Sequence, residues 1–386
     1  MIKSIYAIKD SWISELSSSI NFGHDEILEL KKEFNNTDSS SMVHGVSRAL
    51  LQFDLNSISE SVASGDITSP KYFLKLYATE ASDLDAKYTL STFPISQSWE
   101  EGLGKYLDSP ETKKGVTWKR RDQEVYGTEW TDLGKPGQLS SGSRNMASGS
   151  ESNQSGSAGG GVWYTGSGYE CTQSFSYSTP DIEMDVTTIV NKWLDSTIIN
   201  NGFILTRSGS MSPIGEENDE SRQNLKFFSR HTHTIYPPKL EVRWDDHVHA
   251  SGSLTSMNIT GDIDNYVYVK GIRPQYRETE TVRFRVGARE RNLAKTFSTS
   301  VATTSGSYIP ERSGSYSIVD LVTNETLIPF SDYTYLSCDD TYGSYFNLDL
   351  NTFQPNRIYK IMLKVTYQDN QTVIYDDDSF QFKVVK

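Results

Sequence analysis

Strict alternation of apolar and polar residues marks the strands of this chain. In Lys239-Leu240-Glu241-Val242-Arg243-Trp244, the apolar set Leu240, Val242 and Trp244 points one way and the charged set the other, which predicts a strand with one wet face. Near the C-terminus, Tyr359, Ile361, Leu363, Val365 and Tyr367 alternate with Lys360, Met362, Lys364 and Thr366. A turn at Gln368-Asp369-Asn370-Gln371 then leads to Val373 through Tyr375, and Phe380, Phe382 and Val384 alternate again, so an antiparallel meander is predicted. Helical spacing is convincing at one place. Val186, Ile189, Val190 and Trp193 fall at i, i+3, i+4 and i+7, with Asp185 placed to cap the first N–H groups.

The tryptophans suggest a boundary. All seven precede residue 245, and the stretch after Trp244, Asp245-Asp246-His247-Val248-His249-Ala250-Ser251-Gly252-Ser253, is polar and turn-rich. The expected division is a first domain over 1–246, a linker over 247–253 and a second domain over 254–386, the latter a usual size for an immunoglobulin-like or fibronectin-like sandwich. Residues 140–161 are almost wholly Ser, Gly, Asn and Ala. Such a tract buries too little apolar area to offset its ordering entropy, so an exposed, mobile loop within the first domain is expected.

Composition agrees with an all-β fold: among 386 residues are 22 Tyr and 16 Phe, with abundant Ser, Thr, Asn and Gly. The length excludes a miniature protein. The formal charge of −13 argues against a nucleic-acid backbone or an anionic bilayer as main partner. Two cysteines are too few for a disulfide scaffold. No stretch approaches the ~18 apolar residues that cross a bilayer. The N-terminal MIKSIYAIKDSWISEL lacks the apolar core of a signal peptide, so Sec export is not expected. No repeat, P-loop, dinucleotide-binding turn, nucleophile elbow or zinc ribbon is found, and no cofactor is expected.

Several islands follow one another in the first domain. They are Lys9-Asp10-Ser11-Trp12-Ile13-Ser14 with Asn21-Phe22-Gly23 and a strand from Glu26 to Leu30; Ser47 through Leu55; Phe73 through Tyr77; Trp99-Glu100-Glu101-Gly102 followed by Gly115-Val116-Thr117-Trp118; Asp185 through Trp193; Asn200-Asn201-Gly202-Phe203; and Pro237 through Trp244. This ordered set resembles the jelly-roll domain known as DNRLRE, related to extracellular carbohydrate-binding modules. The literal DNRLRE string is missing, and Phe227-Phe228-Ser229-Arg230 stands near its place. The variant with Phe-Phe-Ser-Arg-His-Thr-His-Thr-Ile-Tyr-Pro-Pro before Leu-Glu-Val-Arg-Trp-Asp-Asp resembles virion structural proteins of tailed bacteriophages. The resemblance implies a jelly-roll β-sandwich with one short embedded helix.

Four of the six histidines form two His-x-His pairs, His231/His233 and His247/His249. On a strand each pair would share a face and offer two imidazoles to a Zn-type or Fe-type ion; ordinary polar positions beside a domain junction are the competing reading. The acidic groups Asp262-Ile263-Asp264-Asn265, Asp339-Asp340 and Asp376-Asp377-Asp378 lack calcium-loop spacing and read as solvated turns. Glu100 and Glu101 are adjacent, face opposite ways and cannot flank one glycosidic bond; the resemblance makes them structural.

Between Lys270 and Lys295 lie Arg273, Arg277, Arg283, Arg285, Arg289 and Arg291. Arg283 and Arg285 share one strand face opposite Val282, Phe284 and Val286, as a solvated face or as half of a contact with an acidic neighbour. Lys113, Lys114, Lys119, Arg120 and Arg121 read as a solvated turn. Phe380 and Phe382 lie on a C-terminal strand that, at a sheet edge, would pair with a neighbouring subunit. Cys171 and Cys338 read as buried thiols, and each tryptophan as core before sugar platform.

The expectation is therefore a non-enzymatic structural component of a bacteriophage virion, in the neck, tail, baseplate or a fibre. Its partners would be other virion proteins, in a homo-oligomeric ring or as a multi-copy decoration, with contact to a host-surface glycan open to it. It would be assembled in the host cytoplasm without a signal peptide. The alternative is a free carbohydrate-binding or adhesin module recognising surface glycans.

Overall fold

Along Ile358–Thr366 every second side chain is buried, so the alternation in the sequence becomes a strand with one core face. A computed structural model describes residues 1–38, 41–82, 84, 87–122, 127–130, 138–140, 159–164, 166–176, 179–207, 224–260, 264–292 and 306–386. The described chain is all-β, with antiparallel sheets and two short α-helices. It divides into two compact units, one of residues 5–63 and 71–241, the other of residues 1–4, 64–70 and 242–386.

The strands of the first sheet system are β1 (Ile2–Ser14), β2 (Ile27–Asp38), β3 (Ser41–Phe53), β4 (Lys71–Leu76), β5 (Ala78–Ser82) and β6 (Lys87–Pro94). After the small hairpin β7 (Gln138–Ser140) and β8 (Val162–Tyr164) come β9 (Cys171–Ser176), β10 (Ile182–Asp185), β11 (Phe203–Arg207), β12 (Asn224–Phe228) and β13 (Lys239–Arg243). The main order is β10-β4-β13-β1-β3-β11-β6-β9, with β12 joining β2 to β5 and β2 also pairing β3. The inner cluster includes Ile13, Leu50, Phe93, Trp99, Val116, Trp118, Trp130, Trp163 and Ile204. Burying each such side chain contributes about 1.5–3 kcal/mol.

The predicted helix is observed as α2 (Thr187–Leu194) after α1 (Asn56–Ala63), with Ile189, Val190 and Trp193 buried. The Asp185 carboxylate accepts the Thr187 N–H at 3.0 Å, meeting one of the orphan donors. Helix α1 went unpredicted because it buries one residue, Ile58, and so carries no apolar stripe.

In the other unit, β14 (Asn265–Lys270), β15 (Gln275–Arg277), β16 (Thr281–Glu290), β17 (Gly314–Asp320), β18 (Thr326–Ile328), β19 (Ser337–Asp339), β20 (Gly343–Asp349), β21 (Ile358–Thr366), β22 (Thr372–Tyr375) and β23 (Gln381–Val385) form two sheets. Their orders are β14-β16-β20-β19 and β15-β23-β21-β17-β18, with β22 on β21. Rings from both sheets meet: Tyr316 stacks on Phe346 at 4.2 Å and Phe284 lies 5.4 Å from Phe382. The result is a β-sandwich.

Four expectations change. The stretch 247–253 is not a bare linker: Cys338 N–H donates to the Val248 carbonyl at 2.8 Å and Ala250 N–H to the Cys338 carbonyl at 2.9 Å. A polar extended segment still carries main-chain donors and acceptors, and the edge of β19 satisfies them. Residues 1–4 belong to the same unit, where Lys3 pairs with Asp349 at 2.8 Å. The strand holding Phe382 is no sheet edge, because β23 lies between β21 and the parallel β15. Finally, most of the Ser/Gly tract, 141–158, lies outside the described residues, but its end at Gly159–Gly161 is buried. There the Gly160 carbonyl accepts from Arg48 Nη1 at 2.6 Å. With φ +81° and Arg48 and Trp118 filling the place a β-carbon would take, position 160 requires glycine.

Candidate functional site

Three segments far apart in sequence converge on Asp10, Glu101 and His231. Asp10 lies on β1 just after a register shift against β3 between Ala7 and Lys9, a bulge of the kind that re-aims the side chains that follow. Asp10 is 1 % exposed.

Glu101 is positioned by a framework of glycines around Asn21. The Asn21 amide donates to the Glu101 carbonyl at 2.8 Å and the Val116 carbonyl at 2.7 Å, while Oδ1 accepts from Gly104 N–H at 2.9 Å and Gly23 N–H at 3.2 Å. Gly102 (φ +85°) sits so close that a side chain there would strike Asn21 Oδ1. Trp99 anchors the preceding residues in the core and donates Nε1–H to the Asn201 carbonyl at 2.9 Å. Glu100 is exposed and Glu101 turned inward, as adjacent extended residues require.

His231 comes from a turn. Ser229 Oγ donates to the Asp25 carbonyl at 2.6 Å and accepts the His231 N–H at 3.1 Å. The turn aims Arg230 N–H at Asp10 Oδ2, 2.5 Å away, and brings Arg230 Nη1 to both Glu101 oxygens at 3.0 and 2.8 Å. His231 Nε2 lies 3.3 Å from Glu101 Oε1, and the His24 ring packs 4.1 Å from the His231 ring. Asp10 N–H also donates to Glu101 Oε1, at 3.0 Å.

Burial pushes the Asp10 carboxyl up to about 8, reinforced by the Glu101 charge and opposed by the Arg230 N–H and guanidinium. Burial lowers His231 and so favours the neutral imidazole, against the pull of the Glu101 charge. Asp10 Oδ1 is buried with no hydrogen-bond partner. One imidazole nitrogen and two carboxylate oxygens, all within 4.8 Å of one another, make a donor set suited to a metal ion.

The other expected residues fall as follows. His233 is exposed, because 229–238 is a turn and not a strand, so it does not share a face with His231. His247 and His249 do stack, 6.2 Å between rings, in the other unit, with His247 Nε2 3.7 Å from Glu311. His231 and His233 therefore do not offer two imidazoles from one strand face, and Asp10 and Glu101, which carry no spacing signal, join His231 in the candidate site.

Phe380 and Phe382 are each 1 % exposed and fill the core, so neither side chain faces a partner. Arg273 pairs with Glu280, and the Arg277 N–H reaches the same carboxylate. Arg283 lies over Tyr345 at 4.1 Å, and Arg285 lies over Tyr342 at 4.4 Å while bonding Asp339 at 2.7 Å. Lys113, Lys119 and Arg120, with Ser19 and Thr117, line a polar cavity of about 280 Å³. Cys171 and Cys338 are both buried and not disulfide-bonded, their thiols pushed up by burial to about 12 and about 11. All seven tryptophans are buried. No protein-family model matches the sequence, and comparison with curated proteins returns no significant match.

Proposed function

We propose that this chain is a non-enzymatic structural component of a tailed-bacteriophage virion, held in place by protein contacts. The observation that carries the reading is where the resembling islands lie. Asn21-Phe22-Gly23, Trp99 through Gly102 and Gly115 through Trp118 build one hydrogen-bonded, glycine-packed framework. Trp12 and Phe22, from the first island, stack on each other at 3.9 Å. The resemblance rests on residues that hold this unit together, which supports a shared domain, and the step from domain to virion role is by analogy.

Attachment is assigned to the four-stranded sheet bearing Arg283 and Arg285, where exposed Arg283 covers the buried Tyr345 ring and Arg285 lies over the exposed Tyr342 ring, an amphipathic pairing of the kind enriched in interfaces. Burial of all seven indoles favours assembly over a tryptophan-lined sugar platform. The test is a mass-spectrometric inventory of purified particles. Recovery of the chain at a fixed copy number that is a multiple of particle symmetry supports the proposal. Recovery only from the soluble fraction, with affinity for surface glycans, replaces it with the carbohydrate-binding alternative.

A further inference from the structure

We infer that Asp10, Glu101 and His231 form a binding site for one divalent transition-metal cation, with Zn²⁺ the best match. The donor atoms already stand near coordination geometry. Two ligands about 2.0–2.1 Å from zinc at the tetrahedral angle stand about 3.3–3.4 Å apart, and His231 Nε2 lies 3.3 Å from Glu101 Oε1. All three donor atoms fall within 4.8 Å of one another.

A second observation points to a ligand independently of that clustering. Asp10 Oδ1 is buried without a partner, beside a second carboxylate. An orphaned carboxylate oxygen in the interior is costly unless a cation or proton meets it. With both carboxylates ionised, the single Arg230 guanidinium leaves the cluster one negative charge in excess, which a bound cation offsets.

The donor types select the ion. Calcium takes six to eight oxygens and magnesium a hydrated octahedron, whereas an imidazole with carboxylates suits zinc and its neighbours. Arg230 plays the outer-shell part: its Nη1 reaches both Glu101 oxygens, Oε1 at 3.0 Å and Oε2 at 2.8 Å, and so fixes the orientation of the carboxylate. The half-buried edges of Glu101 and His231 leave a path for the ion and for a water in a fourth position. Bound there, the cation ties β1, the 99–116 segment and the 229–232 turn together, joining residues separated by 91 and 130 positions.

The test uses the full chain, stripped with EDTA and titrated with Zn²⁺ by calorimetry, and with Co²⁺ as a visible-absorption reporter of coordination. One ion per chain is expected. At a free Zn²⁺ concentration about 100 times Kd, the melting temperature followed by tryptophan fluorescence is expected to rise by about 5–10 °C. His231→Ala, in a half-buried turn, and Asp10→Asn should each weaken binding by more than the roughly 10–100-fold that loss of an outer-shell partner costs. They should also abolish the cobalt spectrum while keeping the circular dichroism of the parent. His233→Ala should change nothing. Absence of Zn²⁺ binding at micromolar concentration overturns the inference. So does binding that survives His231→Ala, or binding lost instead in a His247→Ala/His249→Ala double variant.

Discussion

Removing the Asn21 side chain tests the framework that positions Glu101. Asn21 is fully buried and its amide makes four hydrogen bonds, two donated to the carbonyls of Glu101 and Val116 and two accepted from Gly104 and Gly23. At about 1 kcal/mol net each, Asn21→Ala loses about 4 kcal/mol, and each main-chain group left buried without a partner costs about 1–3 kcal/mol, partly relieved by relaxation of the loop. For a unit of this size about 2–4 °C of melting temperature accompanies each kcal/mol, so a drop of about 8–16 °C is expected. Asn21→Asp should be worse than Asn21→Ala, because a carboxylate retains the accepted bonds but faces two carbonyl oxygens it cannot donate to. Tryptophan fluorescence is the suitable probe, since Trp12, Trp99, Trp118, Trp130, Trp163 and Trp193 all lie in this unit. A drop below about 2 °C for Asn21→Ala, or an Asn21→Asp variant as stable as it, would refute the assignment of Asn21 as the hub.

Trp118→Ala should cost about 3–5 kcal/mol, as aromatic truncations in cores do, and would strip one of the two indoles that flank the buried Arg48 guanidinium at 4.8 and 5.1 Å; an unchanged melting temperature would place this ring at the surface. Gly160→Ala should lower stability by more than 1 kcal/mol, because the added carbon meets Arg48 and Trp118 at a left-handed φ; a neutral urea midpoint would count against the close approach. Burial alone would raise the Asp320 carboxyl, but the Arg357 guanidinium and the N–H groups of Val322 and Thr323 outweigh it and bring it below its ordinary 3.8. A depressed carboxyl contributes stability that is present above the unfolded value and lost as pH falls through the folded one. Asp320→Asn should therefore flatten the loss of stability below about pH 4, and urea curves at stepped pH that stay parallel to the parent would contradict that ion pair's role.

Face assignment was legible in the sequence, because alternation and helical spacing are local geometry. Leu240, Val242, Tyr359, Ile361, Leu363 and Val365 are buried as their spacing requires, as are Ile189, Val190 and Trp193 on the helix, but the charged face expected to be wet over 239–244 is not: Lys239 and Glu241 are buried in a strand between β4 and β1, where Glu241 meets Lys75 at 3.1 Å. The tryptophans also sort themselves, since so large an apolar surface is driven inward wherever the chain permits. Neighbours were not legible. Alternation put Phe382 on a strand and said nothing of what flanks it, and only pairing with both β15 and β21 makes that strand central. The polar composition of 247–253 describes side chains, whereas its place in the fold came from main-chain groups that every residue carries and that β19 had to spare.

The cluster of Asp10, Glu101 and His231 shows the same divide at the level of chemistry. His-x-His spacing singled out His231, but assumed a strand where Ser229 makes a turn, and so named His233 as its companion. The true companions lie 130 residues away from His231 in one case, brought close by a bulge in β1 and by the glycine framework around Asn21. Spacing encodes which side of an element a residue faces; convergence of donors from distant segments depends on loop closure and packing, which exist only once the chain has folded.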